Sequence, residues 1–591
     1  MPHPDTQPQS SNMGIATYLF GRLKQLGVKH VFGQPGDFNM GIIDVIEDEE
    51  GIEWIGCCNE MNAGYAADGY ARVNKMGVLV TTFGVGELSA MNAIAGSFSE
   101  MIPVVHIVGT PSTEFQSQGA MLHHTLGNGD YKTYYKMYEN ITVAQTVLTH
   151  HNAKDEIDRV LKECYIRSRP VYISIPADIC VKETFADLTQ PLDFTIPENV
   201  HEVEYAAINK VVHHIHRSAN VIVLIDACAS RHNVVKEILD FIEKTGFPFF
   251  TSPMGKGIIS EDHPLFGGIY IGSVSEPHVK NEVEKADLII SVGAIRSDFN
   301  TGGFTYHVSP AKTIELSNNY IKVFFATYGG VSMKHALPKI TACLESMPGP
   351  QISPPYQHKI LEDDVKDERI TQNWFWHEVS SKILRKNDIV VGEMGTSIFG
   401  LMDIKFPSGV AFIGQILYGS IGYSVGACLG ASLAATNFKE KRRVCLFVGD
   451  GSFQVTAQEM STIIRHDLKP VIFFINNNGF TIERMLHGMD RKYNDISQWK
   501  FDKTLEYFGG SDKVCRTIKL STKSEFESFA SSQLPEIPSQ ILFVEVMMDK
   551  YDAPRALVGT ACNTAEKHMK EKVLPKLHEE LHRKTVAGEK Y

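Results

Sequence analysis

The chain has 591 residues, of which 43% are hydrophobic and 21% charged, with a formal net charge of −12. These values exclude disordered, collagen-like and coiled-coil chains, and the acidic balance excludes a nucleic-acid partner, which would need a basic face. No apolar run reaches the ~20 residues that span a bilayer, so no membrane partner is expected.

Short, almost uninterrupted apolar segments alternate with longer amphipathic ones along the whole chain. Residues 77–82 and 104–109 read as buried strands, followed by 221–225 and 286–292, and then by 443–448 and 470–475. Such strands, separated by helical patterns, belong to parallel sheets covered on both faces. Residues 187–199, and 346–359 with its four prolines, read as connections. The expected fold class is therefore α/β: three doubly wound parallel-sheet domains at 13–186, 200–345 and 360–565, then a helical tail at 566–591. No internal repeat is evident, so the domains would share architecture and not sequence. Open α/β sheets bind ligands beyond the carboxyl ends of their strands. The glycine clusters Gly33-Gln34-Pro35-Gly36-Asp37, Gly84-Val85-Gly86-Glu87 and Gly449-Asp450-Gly451 fall at such places.

The segment from Arg443 to Gly479 is the most informative. A buried strand ends in Gly449-Asp450-Gly451-Ser452. A helical pattern follows, with Phe453, Val455, Met460, Ile463 and Ile464 apolar. A second strand then ends in Asn476-Asn477-Asn478-Gly479. Two neighbouring parallel strands would bring Asp450 and Asn477, 27 residues apart, to one sheet edge. A carboxylate and an amide oxygen with a nearby backbone carbonyl are hard ligands that suit Mg2+, which completes its shell from phosphate and water. The glycines let backbone approach a phosphate, and a helix starting near Ser452 would aim free N–H groups at it.

This segment resembles the thiamine diphosphate signature. With residues 33–39, 59–72, 81–90, 123–130 and 481–483, the chain resembles the thiamine diphosphate-dependent 2-keto acid decarboxylases, most closely the fungal-type pyruvate decarboxylases, over about residues 13 to 560. The resemblance implies non-oxidative decarboxylation of a 2-keto acid, pyruvate first, by way of the cofactor's C2 ylid and an enamine. It implies thiamine diphosphate and Mg2+ as cofactors, and Asp450, Asn477 and the Gly479 carbonyl as metal ligands. Gly451 and Ser452 lie near the phosphates, and Thr396, Gly419, Ser420, Ile421 and Ile482 belong to the cofactor site, with Ile421 as the apolar prop beneath the bent cofactor. Glu60 acts on the aminopyrimidine ring, helped by a carboxyl pKa that an apolar pocket raises. Asp37, His123, His124 and Glu483 move protons on the substrate, for which histidine titrates in the right range. His123-His124 is one of three adjacent pairs, with His150-His151 and His213-His214, but it alone precedes the Gly127-Asn128-Gly129-Asp130 loop.

Phe299, Ile398, Ile482 and Leu486 are expected to line the acyl end of the pocket and to narrow it toward a methyl group, although extra methylenes discriminate by only ~1–3 kcal/mol. Met394 and Tyr418 depart from the Thr and Trp expected of common pyruvate enzymes, which leaves aromatic or branched-chain 2-keto acids as the alternative. A second departure is Met101, where the family places the histidine that would relay a signal from Cys228; a thioether cannot pair as an imidazolium would. A homodimer with shared active sites, and a homotetramer of such dimers, is implied by the family alone. Two further classes are disfavoured. A silent thiamine diphosphate sensor would be expected to lose acid–base residues that are present here, and a nicotinamide enzyme would need the Gly-x-Gly-x-x-Gly after a strand that is missing. No flavin is expected in the middle domain. Ten cysteines without a Cys-x-x-Cys pair, and ends without secretory or retention features, point to the cytoplasm.

Overall fold

The computed structural model describes residues 11–345 and 366–564. The proline-rich connection at 346–359 and the expected tail at 566–591 lie outside them. The chain forms two compact units. One takes the chain up to Ile196 and adds Tyr423–Lys441 and Thr456–Leu468; the other comprises Pro197–Gly422, Arg442–Val455 and the chain from Lys469.

In the first unit the strands are β1 (Ser11–Gly14), β2 (His30–Gly33), β3 (Glu53–Gly56), β4 (Gly77–Thr82), β5 (Val104–Thr110), β6 (Gln145–Val147), β7 (Val171–Pro176) and β8 (Glu183–Ala186). β1 and β8 form an antiparallel ribbon. The other six make an all-parallel sheet in the order β3-β2-β4-β5-β7-β6. β4, β5 and β7 are buried at every position, which is why they read as continuous apolar runs. Val78, Val80, Val105 and Ile107 pack with the helices Ile15–Gln25 and Ala153–Arg167. Leu79 points to the opposite face, where the helix Glu60–Asn74 crosses β4.

That helix starts where the Asn59 side chain accepts the Asn62 N–H at 2.8 Å and ends at Lys75, whose φ is 75°. It packs on Tyr423–Ala435, a helix buried throughout. The two backbones nearly touch: a Cβ at Gly430 would overlap the Ala66 carbonyl, and one at Gly69 would overlap Ala427. Asp68, fully buried in this region, accepts from Arg72 Nε at 2.7 Å, Ser97 Oγ at 2.7 Å and Tyr423 OH at 2.6 Å. These bonds satisfy a charge that could not otherwise be buried.

The second unit holds two sheets. The first contains β9 (Val221–Ile225), β10 (Phe249–Thr251), β11 (Phe266–Ile269), β12 (Leu288–Val292), β13 (Thr313–Leu316), β14 (Tyr320–Val323) and β15 (Ala326–Gly329), in the order β11-β10-β9-β12-β13-β14-β15. β14 and β15 run antiparallel to their neighbours, a departure from a wholly parallel sheet. The connections into them are too short for a parallel crossover, which takes a dozen or more residues. The other sheet contains β16 (Ile389–Gly392), β17 (Ala411–Ile413), β18 (Val444–Gly449), β19 (Val471–Asn476), β20 (Cys515–Leu520) and β21 (Ile541–Met547), all parallel, in the order β17-β16-β18-β19-β21-β20. Counted from β2 and from β16, the two six-stranded sheets have the same strand order.

The helix after β18 begins at Asp450, two residues before Ser452, and ends at Thr456; a 3-10 turn, Ala457–Glu459, separates it from Met460–Arg465. Phe453 is fully buried, whereas Val455, about 200° further round the helix, is 44% exposed.

Gly430→Ala should cost about 1–3 kcal/mol through overpacking, read as a lowered urea midpoint with unchanged slope. A parental midpoint would contradict the close approach of the two helices.

Candidate active site

β18 and β19 are hydrogen-bonded neighbours, and their carboxyl ends place Asp450 beside Asn477. Asp450 is 1% exposed. Its carboxylate accepts the N–H groups of Gly451 at 2.7 Å, Asn477 at 3.2 Å and Gly479 at 3.1 Å. Burial nevertheless pushes its pKa up to about 6, and these amides offset the rise only in part. The turn just after Asn477 takes left-handed backbone at two successive residues, Asn478 with φ 57° and Gly479 with φ 116°, the second open to little but glycine. The Asn477 side-chain amide sits between these groups: its nitrogen donates to Asp450 Oδ1 at 3.2 Å and to the Gly479 carbonyl oxygen at 3.3 Å, and its oxygen accepts from Thr481 Oγ1 at 2.9 Å. Turned over about its terminal bond, the amide would present its oxygen beside the Asp450 carboxylate and the Gly479 carbonyl, which is the donor set of a hard divalent ion. Gly449 adds space: its φ lies outside the left-handed region, and a Cβ there would meet nothing within 4 Å. The corner therefore fits a Mg2+-bound diphosphate.

Gly419, Ser420 and Ile421 form a loop held by two buried polar side chains. Ser420 N–H donates to Gln415 Oε1 at 3.2 Å, and Gly422 N–H to Glu393 Oε1 at 3.3 Å. Glu393 also accepts from Met394 N–H at 3.0 Å, and Gln415 Nε2 is buried without a partner. Thr396 is buried as the first residue of the helix Thr396–Met402. Ile398 and Met394 belong to one apolar cluster against which Phe299, Ile421, Ile482 and Leu486 pack. All the expected lining residues thus come together. Glu483 lies between Ile482 and Leu486 on the helix Thr481–His487, half-buried, with its pKa raised by desolvation. Tyr418 is exposed.

In the first unit, Glu60 is the first residue of its helix, half-buried, and burial raises its pKa. It therefore occupies a helix start and not a strand end, since β3 stops at Gly56. Asp37, His123 and His124 converge: His123 Nε2 is hydrogen-bonded to Asp37 Oδ2, and His124 Nε2 lies 3.9 Å from Asp37 Oδ1. Phe38 stacks on the His123 ring at 5.0 Å. His124 has φ 66°, a backbone conformation that costs energy and marks a position fixed by its surroundings. Cys228 is buried just beyond β9, and Met101 also has a positive φ, 58°.

Sequence reasoning missed Glu393, Gln415, Glu459 and the role of Glu87. Glu459, buried in the first unit, accepts from Cys58 N–H at 3.2 Å and Asn62 Nδ2 at 2.9 Å. Glu393 had one usable signal, a carboxylate immediately after an apolar strand. Glu87 had another, its place three residues after Gly84 in a capping-box pattern.

Three family models match the chain: thiamine pyrophosphate enzyme N-terminal TPP binding domain over residues 13–131, central domain over 208–326, and C-terminal TPP binding domain over 391–531. Pyruvate decarboxylase of Aspergillus fumigatus is 45% identical over 555 residues, 93% of this chain and 96% of that one. Pyruvate decarboxylase of Candida glabrata is 44% identical over 566 residues, 95% of this chain and all of the other. Pyruvate decarboxylase isozyme 2 of Saccharomyces cerevisiae is 43% identical over 568 residues, with the same coverage. The chain belongs to the thiamine pyrophosphate enzyme family. Thiamine pyrophosphate, or thiamine diphosphate, is its cofactor, and the enzyme class is that of the thiamine diphosphate-dependent lyases.

Asp450→Ala should lose bound thiamine diphosphate on gel filtration in Mg2+ buffer. Retention at the parental stoichiometry would contradict the metal corner.

Proposed function

We propose that the chain decarboxylates pyruvate to acetaldehyde and CO2 with thiamine diphosphate and Mg2+. The observation that carries this reading is the convergence of the Asp450 carboxylate, the Asn477 amide and the Gly479 carbonyl, in a chain 45% identical to a pyruvate decarboxylase. When bound, the cofactor supplies the electron sink that amino acid side chains lack. The protein's residues do the rest. Asp450, Asn477 and the Gly479 carbonyl hold Mg2+, and Gly451 and Ser452 lie alongside the diphosphate. Thr396 and the Gly419–Ser420–Ile421 loop seat the rings, with Ile421 and Ile482 as apolar supports. Glu60, whose carboxyl pKa is raised by burial, acts on the aminopyrimidine ring as the proton-transfer group. Asp37, His123, His124 and Glu483 pass protons to and from the substrate.

Phe299, Ile398, Ile482 and Leu486 crowd the acyl end, and their shared apolar cluster supports a methyl-sized pocket. The aromatic and branched-chain alternative, which rests on the departures at Met394 and Tyr418, is not favoured by relatives named pyruvate decarboxylase. The domains follow the boundaries 13–186, 200–345 and 360–565, in line with the order of the three matched family models. The working assembly is a homodimer with shared sites, paired into a tetramer, in the cytoplasm. No helix among the described residues is long and apolar enough to cross a membrane.

Glu60→Gln should fold normally and lower turnover by about 10²–10⁴-fold, the range of a lost proton-transfer group. Near-parental turnover would contradict its role. In a substrate panel, kcat/KM should favour pyruvate over phenylpyruvate; the reverse order would overturn the pocket assignment.

A further inference from the structure

The Gly84-Val85-Gly86-Glu87 turn stands at the tip of β4, and no step above uses it. Three of the proposed catalytic groups nevertheless rest against it. A Cβ on Gly84 would overlap the His124 carbonyl oxygen, and one on Gly86 would lie 3.0 Å from Glu60 Oε1. A Cβ on Gly36, the residue before Asp37, would lie 2.6 Å from Thr82 Cβ, at the foot of the same turn. Gly84 itself has φ 69°, so the turn is held in a conformation open to few other residues.

One side chain fixes the turn. Glu87 is fully buried. Its Oε1 accepts the Gly84 N–H at 2.8 Å, and its Oε2 accepts the Tyr172 hydroxyl at 2.8 Å. The Tyr138 hydroxyl donates to the Glu87 backbone carbonyl. Tyr134, on a neighbouring helix, donates its hydroxyl to the His124 carbonyl at 2.9 Å. The titratable groups around the carboxylate are thus Tyr134, Tyr138 and Tyr172, and His106 packs against the last two rings at 5.1 Å and 5.5 Å. A buried carboxylate among tyrosines is costly; its pKa is pushed up to about 7, and the Gly84 and Tyr172 bonds only partly offset the desolvation. A neutral side chain would cap Gly84 at less cost in stability.

We infer that Glu87 is a positioning residue, which clamps the Gly84 turn and thereby sets where Glu60, His124 and the Asp37 turn stand relative to one another. The inference rests on the catalytic reading above, and it adds a residue that touches none of the reacting atoms. Misplacing catalytic groups by about 1 Å costs on the order of 10²-fold in rate, so the clamp has kinetic weight.

The test uses the full-length, cofactor-loaded protein with Glu87→Ala, Glu87→Asp and Glu87→Gln. Ala removes the acceptor and Asp withdraws it by one methylene, whereas Gln keeps an oxygen for the Gly84 N–H. Ala and Asp should lose at least about tenfold in kcat with KM and bound cofactor within about twofold of parent, and Gln should recover kcat to within about threefold. Deuterium uptake by the peptide spanning residues 121–131 should rise in Ala and Asp but not in Gln. Parental kcat in Ala or Asp, or a Gln variant as impaired as Ala, overturns the inference; if Ala fails to fold, Asp decides. A parent that binds cofactor but releases no CO2 from pyruvate sinks the functional reading alone. Deuterium uptake then decides for Glu87, and unchanged uptake in Asp overturns its role.

Discussion

The convergence of the Asp450 carboxylate, the Asn477 amide and the Gly479 carbonyl is the constraint on which the site in the second unit depends. The Asn477 nitrogen bonds Asp450 and the Gly479 carbonyl, and Thr481 Oγ1 meets the amide oxygen. Because the Thr481 hydroxyl can donate or accept, the amide can turn over and present its oxygen beside the other two. The Asp450 carboxyl is buried and its pKa is raised by desolvation. A divalent ion there would take the carboxylate, the amide oxygen and the carbonyl as ligands. The geometry of the strand ends, the αL residue Asn478 and the open space over Gly449 all serve that one arrangement.

The same strand order recurs in the first unit, yet the equivalent places carry different chemistry. At the third strand of one sheet, β18, the tip delivers Asp450. At the third strand of the other, β4, the tip delivers a glycine turn clamped by Glu87. One fold plan thus supplies a ligand corner in one case and a seat for acid–base groups in the other. Fold and function separate in this way because the strand order fixes where loops meet, while the loop residues decide what happens there.

Much of this was legible in the sequence. Buried parallel strands leave continuous apolar runs, so 77–82 and 221–225 matched β4 and β9 residue for residue, and 470–475 missed β19 by one position. The meeting of Asp450 with Asn477 was legible because polar residues beside glycine at the ends of two apolar strands are unusual. The illegible parts have physical reasons. Val455 faces out because it stands on the side of its helix away from the buried Phe453, although both are apolar, and the 3-10 turn that ends the helix leaves no apolar signal. The antiparallel strands β14 and β15 are short, the first half-buried and the second mostly exposed. Glu393 and Glu459 bond backbone N–H groups of residues brought to them by tertiary folding, and Glu87 bonds the nearby Gly84 N–H but is fixed from its other side by Tyr172, far along the chain. A single carboxylate within an apolar run carries no periodic signal.

The proposed acyl pocket obeys a different rule from the proposed metal corner. Phe299, Ile398, Ile482 and Leu486 come from three separate stretches of chain and meet only because the segments around them pack into one cluster with Met394. No single member decides the substrate, since each changes the cavity by a few methylenes worth ~1–3 kcal/mol. The ligand corner is close to all-or-none, because removing one oxygen leaves the others buried and unpaired. Reaction type is therefore fixed by a few irreplaceable polar atoms, while substrate preference is spread over many exchangeable apolar ones. Relatives built on this fold can drift in the acyl group they accept, through changes like Met394, without losing the chemistry that removes carbon dioxide.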